Sequence, residues 1–331
     1  MKRYRILIAI STLIVTLASA QDTASPATQS VDPIDPVEAE YHRLLELDDA
    51  ALTAIDEMIR ASQRPDSNDA ERISLQGRIK STLNPVHEAY DEFIKKHPNH
   101  AKARLTYASF LEEVGEEHKS LPHLLKAVEL APELPAAWNN LANYYGHYGD
   151  PKKALINYEK AIAINPKESV YYHNFGTTVY LFRKDVKEHY GITEEQVFDK
   201  ALGLYEKART LDPDNFDLAE DIAQTYYGIR TQDSPSRMAR PKEALAAWRK
   251  AEALAPSEFE KQGVFIHLAR VFLDLQDFKS AHRELLKVEL DVYAELRDRV
   301  GRRVPGYDPV IKQAPAPPDG RPERPTIPEQ L

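Results

Sequence analysis

Landmark residues recur every 34 positions through the middle of the chain. Ala108, Gly115, Ala127 and Pro132 return as Ala142, Gly149, Ala161 and Pro166, and Pro98 stands one further period upstream. A period of this length constrains the fold more than any single motif. Each repeat is one supersecondary unit that cannot bury its apolar face alone, so neighbours must stack.

The residues inside one period give the unit its form. From Trp138, Leu141, Ala142 and Tyr145 follow at three- and four-residue spacing, which places them on one helical face. Gly149-Asp150 breaks that helix, and Pro151 suits the first turn of a second. Ala154, Tyr158 and Ala161 mark the inner face of the second helix. Asn165-Pro166 ends it, because proline disfavours helix in the residue before it. Ala142 and Ala154 are small where the two backbones must approach. This pattern resembles the tetratricopeptide repeat, with its large-Leu-small-Tyr first helix, Ala-aromatic-Ala second helix and closing proline. The resemblance implies an all-α fold, a right-handed superhelical solenoid of helix-turn-helix repeats.

The resemblance covers about residues 70–290. Upstream, Tyr107, Ala108, Leu111, Leu124 and Ala127 stand in register, with Ser120 at the usual alanine. Downstream, one unit holds Tyr172, Phe175 and Gly176, then Ala201, Tyr205, Ala208 and Pro213. The next holds Ile222, Ala223 and Tyr226, then Ala244, Trp248, Ala251 and Pro256. A weaker last unit has Leu268, Ala269, Phe272, Ala281 and Leu285 but no closing proline. VHEAYDEFIKKHP, ending at Pro98, reads as the second helix of a degenerate first unit.

Two units exceed the period. Pro166 to Pro213 is 47 residues and Pro213 to Pro256 is 43, and the excess falls in the turn between the two helices. The first insertion, near 183–195, is expected to lengthen its first helix by about two turns, turn at Gly191 and open the next helix with a Thr193-x-x-Gln196 capping box. The second, near 231–240, is polar and reads as a loop. Together they collect Arg183, Lys184, Lys187, Arg230, Arg237 and Arg240. That edge is either a docking site for an acidic partner or a cell-envelope phosphate group, or a solvated margin.

The expected order is a leader over 1–20, a polar linker over 21–36, a capping helix over 37–62, the solenoid over 63–300 and a disordered proline-rich tail over 301–331. A long helical continuation, Leu285–Val300, is expected to cap the far end, with Arg297, Arg299, Arg302 and Arg303 suiting its carboxyl terminus. MKRYRILIAISTLIVTLASA has the basic start, apolar run and Ala-x-Ala ending of a secretory signal cleaved after Ala20. A periplasmic or secreted location follows as an expectation, with no stable membrane anchor. The chain has no cysteine, so neither a disulfide nor a cysteine-linked lipid can hold it.

Formal charge is -9, and nearer -12 once the leader is removed, which argues against nucleic acid as a partner. In this family the first helix of each unit lines a concave surface that binds protein segments. That resemblance points to Asn139, Asn140, Asn143, His173, Asn174, Thr177, Gln224 and Arg270, with Glu220, Asp221, Ile266 and His267 beside them and Tyr180 and Tyr227 adding contacts. Asn140 and Asn174 stand where an amide can donate and accept at once, reading a peptide backbone. No phosphate loop, dinucleotide fingerprint or GxSxG elbow occurs, so neither cofactor nor catalytic residue is expected. DPDNFD at Asp212 has calcium-loop character but reads as an inter-repeat turn. The expected function is an exported scaffold for protein–protein interaction in the cell envelope. An accessory subunit or hydrolase for envelope polymers is the alternative, and Glu112, Glu113, Glu220 and Asp221 are its only groove carboxylates. Homo-oligomerisation through the caps is a third reading.

Overall fold

The computed structural model describes residues 35–62, 69–232 and 237–308. The expected leader and most of both terminal segments lie outside those residues. Among them stand fourteen α-helices, three short 3-10 turns and one isolated β-bridge. Twelve of the helices pack in six successive pairs, and each pair contacts the next.

The third pair shows why these residues build this unit. α5 (Pro135–Tyr148) and α6 (Pro151–Ile164) both open on proline, whose missing N–H is no loss at a helix start. Gly149 at φ 110° makes the turn between them, a conformation that suits glycine. Asp150 then caps α6 by accepting from the Lys153 amide at 3.2 Å. Ala142, Ala154 and Ala161 are fully buried, and Leu141 and Tyr158 are only 2% exposed. The Trp138 indole donates to the Pro132 carbonyl at 2.8 Å and so ties the unit to its predecessor's closing turn.

The other pairs repeat this plan with local changes. α3 (Ala101–Glu113) pairs with α4 (Ser120–Leu130), and α7 (Ser169–Leu181) pairs with α9 (Glu194–Leu211). Gly176 lies so close to the Tyr205 ring that an added Cβ would come within 2.9 Å of it. α10 (Phe216–Thr225) pairs with α11 (Pro241–Leu254), and α12 (Glu258–Asp274) with α13 (Phe278–Leu285). First helices also touch along the array, α3 on α5, α5 on α7 and α7 on α10, so they share one surface.

Four expectations need correction. The helix over 37–62 is not a separate cap. α1 (Pro36–Ser62) pairs with α2 (Asp69–Lys96) as the first helix of the degenerate unit, with the Tyr90 hydroxyl donating to Asp48 at 2.5 Å. The first insertion does not lengthen α7. Phe182 breaks the helix, and α8 (Arg183–Tyr190) folds against α6, where Tyr190 donates to Glu159 at 2.6 Å. A straight extension would have left the fully buried Val186 in water. The Gly191 turn and the Thr193–Gln196 capping box do form. The second insertion is not loop alone: Arg230 and Met238 form an antiparallel bridge, and the Met238 amide donates to Asp274 at 2.9 Å.

The long continuation Leu285–Val300 is also absent. α13 stops at Leu285, and the chain turns back through Asp291–Tyr293 into α14 (Ala294–Gly301). Gln262, 3% exposed, accepts the Glu289 and Leu290 amides at 2.7 and 2.8 Å. Arg297 is buried rather than sitting at a helix end, and donates to the Val288 carbonyl at 3.0 Å.

Candidate functional site

The shared surface of the first helices carries a run of linked amides. Asn174 on α7 donates to Asn139 Oδ1 at 3.3 Å. Asn139 donates to Asn140 Oδ1 at 3.2 Å, and Asn140 donates to Ser109 Oγ on α3 at 3.0 Å. The run therefore crosses three units. A side-chain amide offers two donors and two acceptor lone pairs, so Asn140 and Asn174, both half-buried, keep hydrogen-bonding capacity facing solvent. Asn139 does not. It is 1% exposed and links its neighbours rather than reaching a ligand. Asn143 accepts from the Tyr158 hydroxyl at 2.6 Å and is partly spent on that bond.

Further along, the surface turns acidic. His173 Nε2 and Asp221 Oδ2 are 2.8 Å apart, and Thr177 donates to the same oxygen at 3.3 Å. Gln224 donates to Glu220 at 3.2 Å. Burial, with Asp221, Asp217 and Glu260 nearby, raises the Glu220 carboxyl above its ordinary range. The Tyr227 hydroxyl is 3.0 Å from His267 Nδ1, and the Arg270 guanidinium lies over the Tyr227 ring at 4.4 Å. His267 stacks on Trp248 at 4.2 Å. Burial, helped by Arg270, lowers its imidazole to about 3, so it stays neutral. Ile266 is buried at 1% exposure and belongs to the core, not the groove.

The six basic residues of the insertions do not form one free patch. The Arg183 guanidinium lies over Tyr180 and Phe198 at 5.2 and 5.4 Å, which also occupies Tyr180. Arg240 pairs with Asp199 at 2.9 Å and Glu195 at 3.5 Å. Arg237 donates to the Asp274 carbonyl at 3.2 Å. Lys184, Lys187 and Arg230 are exposed. α8 leans back on α6, tied by Lys152–Glu188 at 3.4 Å, whereas residues 237–238 lean forward on α12.

The four groove carboxylates are likewise divided, with Glu112 and Glu113 on α3 and Glu220 and Asp221 on α10. Burial pushes the Glu112 carboxyl up to about 7, against the opposing hydrogen bond from Ser120 at 2.9 Å. Asp212 and Asn215 of the DPDNFD stretch form the turn before α10, where Asn215 caps the helix through the Leu218 amide. Sequence reasoning missed a cleft of about 650 Å³ between α2 and the α3–α4 turn, lined by Ile79, Lys80, Leu83, His87, Glu116 and Lys119 among others. Its signal was present: Ile79, Leu83, Val86, Tyr90 and Phe93 hold one helical phase, and the helix that carries them is 28 residues long against 13 in its neighbour.

The tetratricopeptide-repeat family model matches residues 135–168, the third pair and its closing turn. Among solved structures, PilW, described as a widely conserved type IV pilus biogenesis factor, is 13% identical with a TM-score of 0.52, covering 71% of this chain and 99% of its own. YrrB, described as a repeat protein of the same class with an unusual peptide-binding site, is 18% identical with a TM-score of 0.45, covering 60% and 90%. PilF of Pseudomonas aeruginosa is 18% identical with a TM-score of 0.47, covering 62% and 82%. A comparison with curated proteins returns no match. The fold is that of an all-α repeat solenoid, the architecture of protein-interaction scaffolds. Residues 135–168 match a tetratricopeptide repeat, and the neighbouring helix pairs follow the same plan.

Proposed function

We propose that this scaffold is exported and holds an extended segment of a partner protein along its concave face, in the cell envelope or outside the cell. The observation that carries the reading is the run from Ser109 through Asn140 and Asn139 to Asn174. Cross-linking the amides fixes their orientation before any ligand arrives, which lowers the ordering cost of binding. Asn140 and Asn174 then present donors and acceptors one unit apart, a spacing suited to peptide backbone rather than to one side chain. Export rests on the leader sequence, and acidic charge beyond it keeps nucleic acid away.

In-cell crosslinking followed by purification tests the reading, with wild type beside the Asn140→Ala/Asn174→Ala variant. A defined partner should be recovered by wild type and lost with the double variant. Each bond nets about 0.5–1.5 kcal/mol, so the loss should be roughly ten- to a hundredfold. Recovery that is indifferent to both changes would sink the groove reading. A mature amino terminus that still begins at Met1 would sink export.

A further inference from the structure

Among the described residues, half of α2 has no neighbour on the side that faces along the array. Its carboxyl half is covered: Val86, Tyr90 and Phe93 are buried, and Tyr90 stacks on Tyr107 of α3 at 4.5 Å. α2 has 28 residues against 13 in α3. At 1.5 Å per residue that is about 42 Å against about 20 Å, so the amino half of α2 runs past the next unit. The covered face continues there as Ile79, Lys80, Leu83 and His87, one wall of the cleft of about 650 Å³ that Glu116 and Lys119 close at one end. Ile73, further out along α2, is 69% exposed. Gly77 weakens the helix interior, and open space surrounds the position its Cβ would take, so nothing among the described residues uses its small size.

Charge narrows the occupant. From Arg72 to His87 the sequence holds three cations, Arg72, Arg78 and Lys80, and no carboxylate, in a chain of formal charge -9. Lys119 is held by Glu116 at 2.7 Å, whereas Lys80 in the cleft wall has no ion-pair partner among the described residues. We propose that this uncovered half of α2 docks an acidic amphipathic helix of a partner protein, laid where the first helix of a neighbouring unit lies against the other half. The interface is a continuation of the α2–α3 contact. Apolar residues at helical spacing on the partner meet Ile73, Ile79 and Leu83, and its carboxylates meet Lys80. This surface is separate from the amide run on α3, α5 and α7.

The purified full chain would be probed with a display library of helix-forming peptides, four to five turns long. Recovered peptides should combine leucine, isoleucine or phenylalanine at helical spacing with glutamate or aspartate. Lys80→Glu should weaken them roughly three- to tenfold and select basic counterparts from the same library. Ile73→Ser should weaken them as well, while Asn140→Ala/Asn174→Ala should not. Both α2 changes are on the surface, and an unchanged helical circular dichroism signal confirms folding. Peptides without acidic enrichment, or affinity indifferent to Lys80→Glu, overturn the proposal. So do Lys80-dependent binding to phosphatidylglycerol vesicles in place of peptide, a wild-type dimer dissolved by Ile73→Ser, or no peptide at all.

Discussion

Between Pro135 and Pro166 the chain closes a helix pair with buried alanines, a glycine turn and a proline, whereas between Gln262 and Gly301 it closes one with buried polar groups. The third unit has a neighbour on each side, so Leu141, Ala142, Ala154 and Tyr158 are buried by its own partner helix and by the units flanking it. Among the described residues the last unit has none beyond it. Its cap must therefore turn back, and a turned backbone has amides that no helix satisfies. Gln262 and Arg297 answer that need. Glu284, 1% exposed, adds ion pairs to Arg249 and Lys287, both at 2.6 Å. Repetition lets an interior unit rely on apolar area, while an end unit must be specified by individual polar contacts.

The hardest blow to that contrast should come from Leu141→Ala. Truncating a buried leucine costs about 2–5 kcal/mol, and units in an array share stability with their neighbours. Urea unfolding of this variant should shift the whole transition. A shift below about 1 kcal/mol would mean that the interior units do not rest on interdigitated packing. Gln262→Leu should follow, at about 2–4 kcal/mol, because two backbone amides lose their acceptor. Its effect should stay local: hydrogen exchange should quicken over residues 286–301 while α5 and α6 keep their protection. Loss of protection in both places would erase the distinction between interior and end.

The same contrast explains what could be read from sequence. Interior units announced themselves because helix, turn and closing proline are all encoded within one period, at Pro135, Gly149, Asp150, Pro151 and Pro166. The far end did not, because the residue that turns the chain at Glu289 is Gln262, 27 positions earlier and one helix away. Local spacing over Leu285–Val300 looked helical, and only a distant acceptor made the break. The groove was legible by position but not by depth. Period alone places Asn139 beside Asn140, yet Asn174 from the next unit draws the first inward as a link. Arg183 and Arg240 looked free for the same reason, since their partners Phe198, Glu195 and Asp199 lie on another helix.

A smaller effect separates the second unit from the third. Ser120 stands where the third unit has Ala154, and it donates to the part-buried Glu112. Burial raises the Glu112 carboxyl from 4.5 to about 7, so the folded state binds its proton more tightly than the unfolded state. Stability from this group is therefore full below about pH 4.5 and is lost as pH rises through about 7. Glu112→Gln should flatten that part of the pH–stability curve and, at pH 8, raise stability by about 1–3 kcal/mol. Thermal melts from pH 4 to 8 decide it. A wild-type curve already flat over that window would mean that Glu112 is better solvated than its setting implies.

The smallest expected change concerns how the two inserted units are joined. In the third unit, adjacent helices meet through apolar contact, but Arg240, at the start of α11, reaches back to Glu195 and Asp199 at the start of α9. The Arg240 side chain is 27% exposed and its partners more so, which puts the pair among surface ion pairs worth about 0–1 kcal/mol. Arg240→Ala should cost that much at low salt. In about 1 M salt, where the screening length is about 3 Å, wild type and variant should converge. If the difference persists there, the guanidinium stem packs against the α9–α11 junction and works by area, so the inserted units would then follow the same rule as the third.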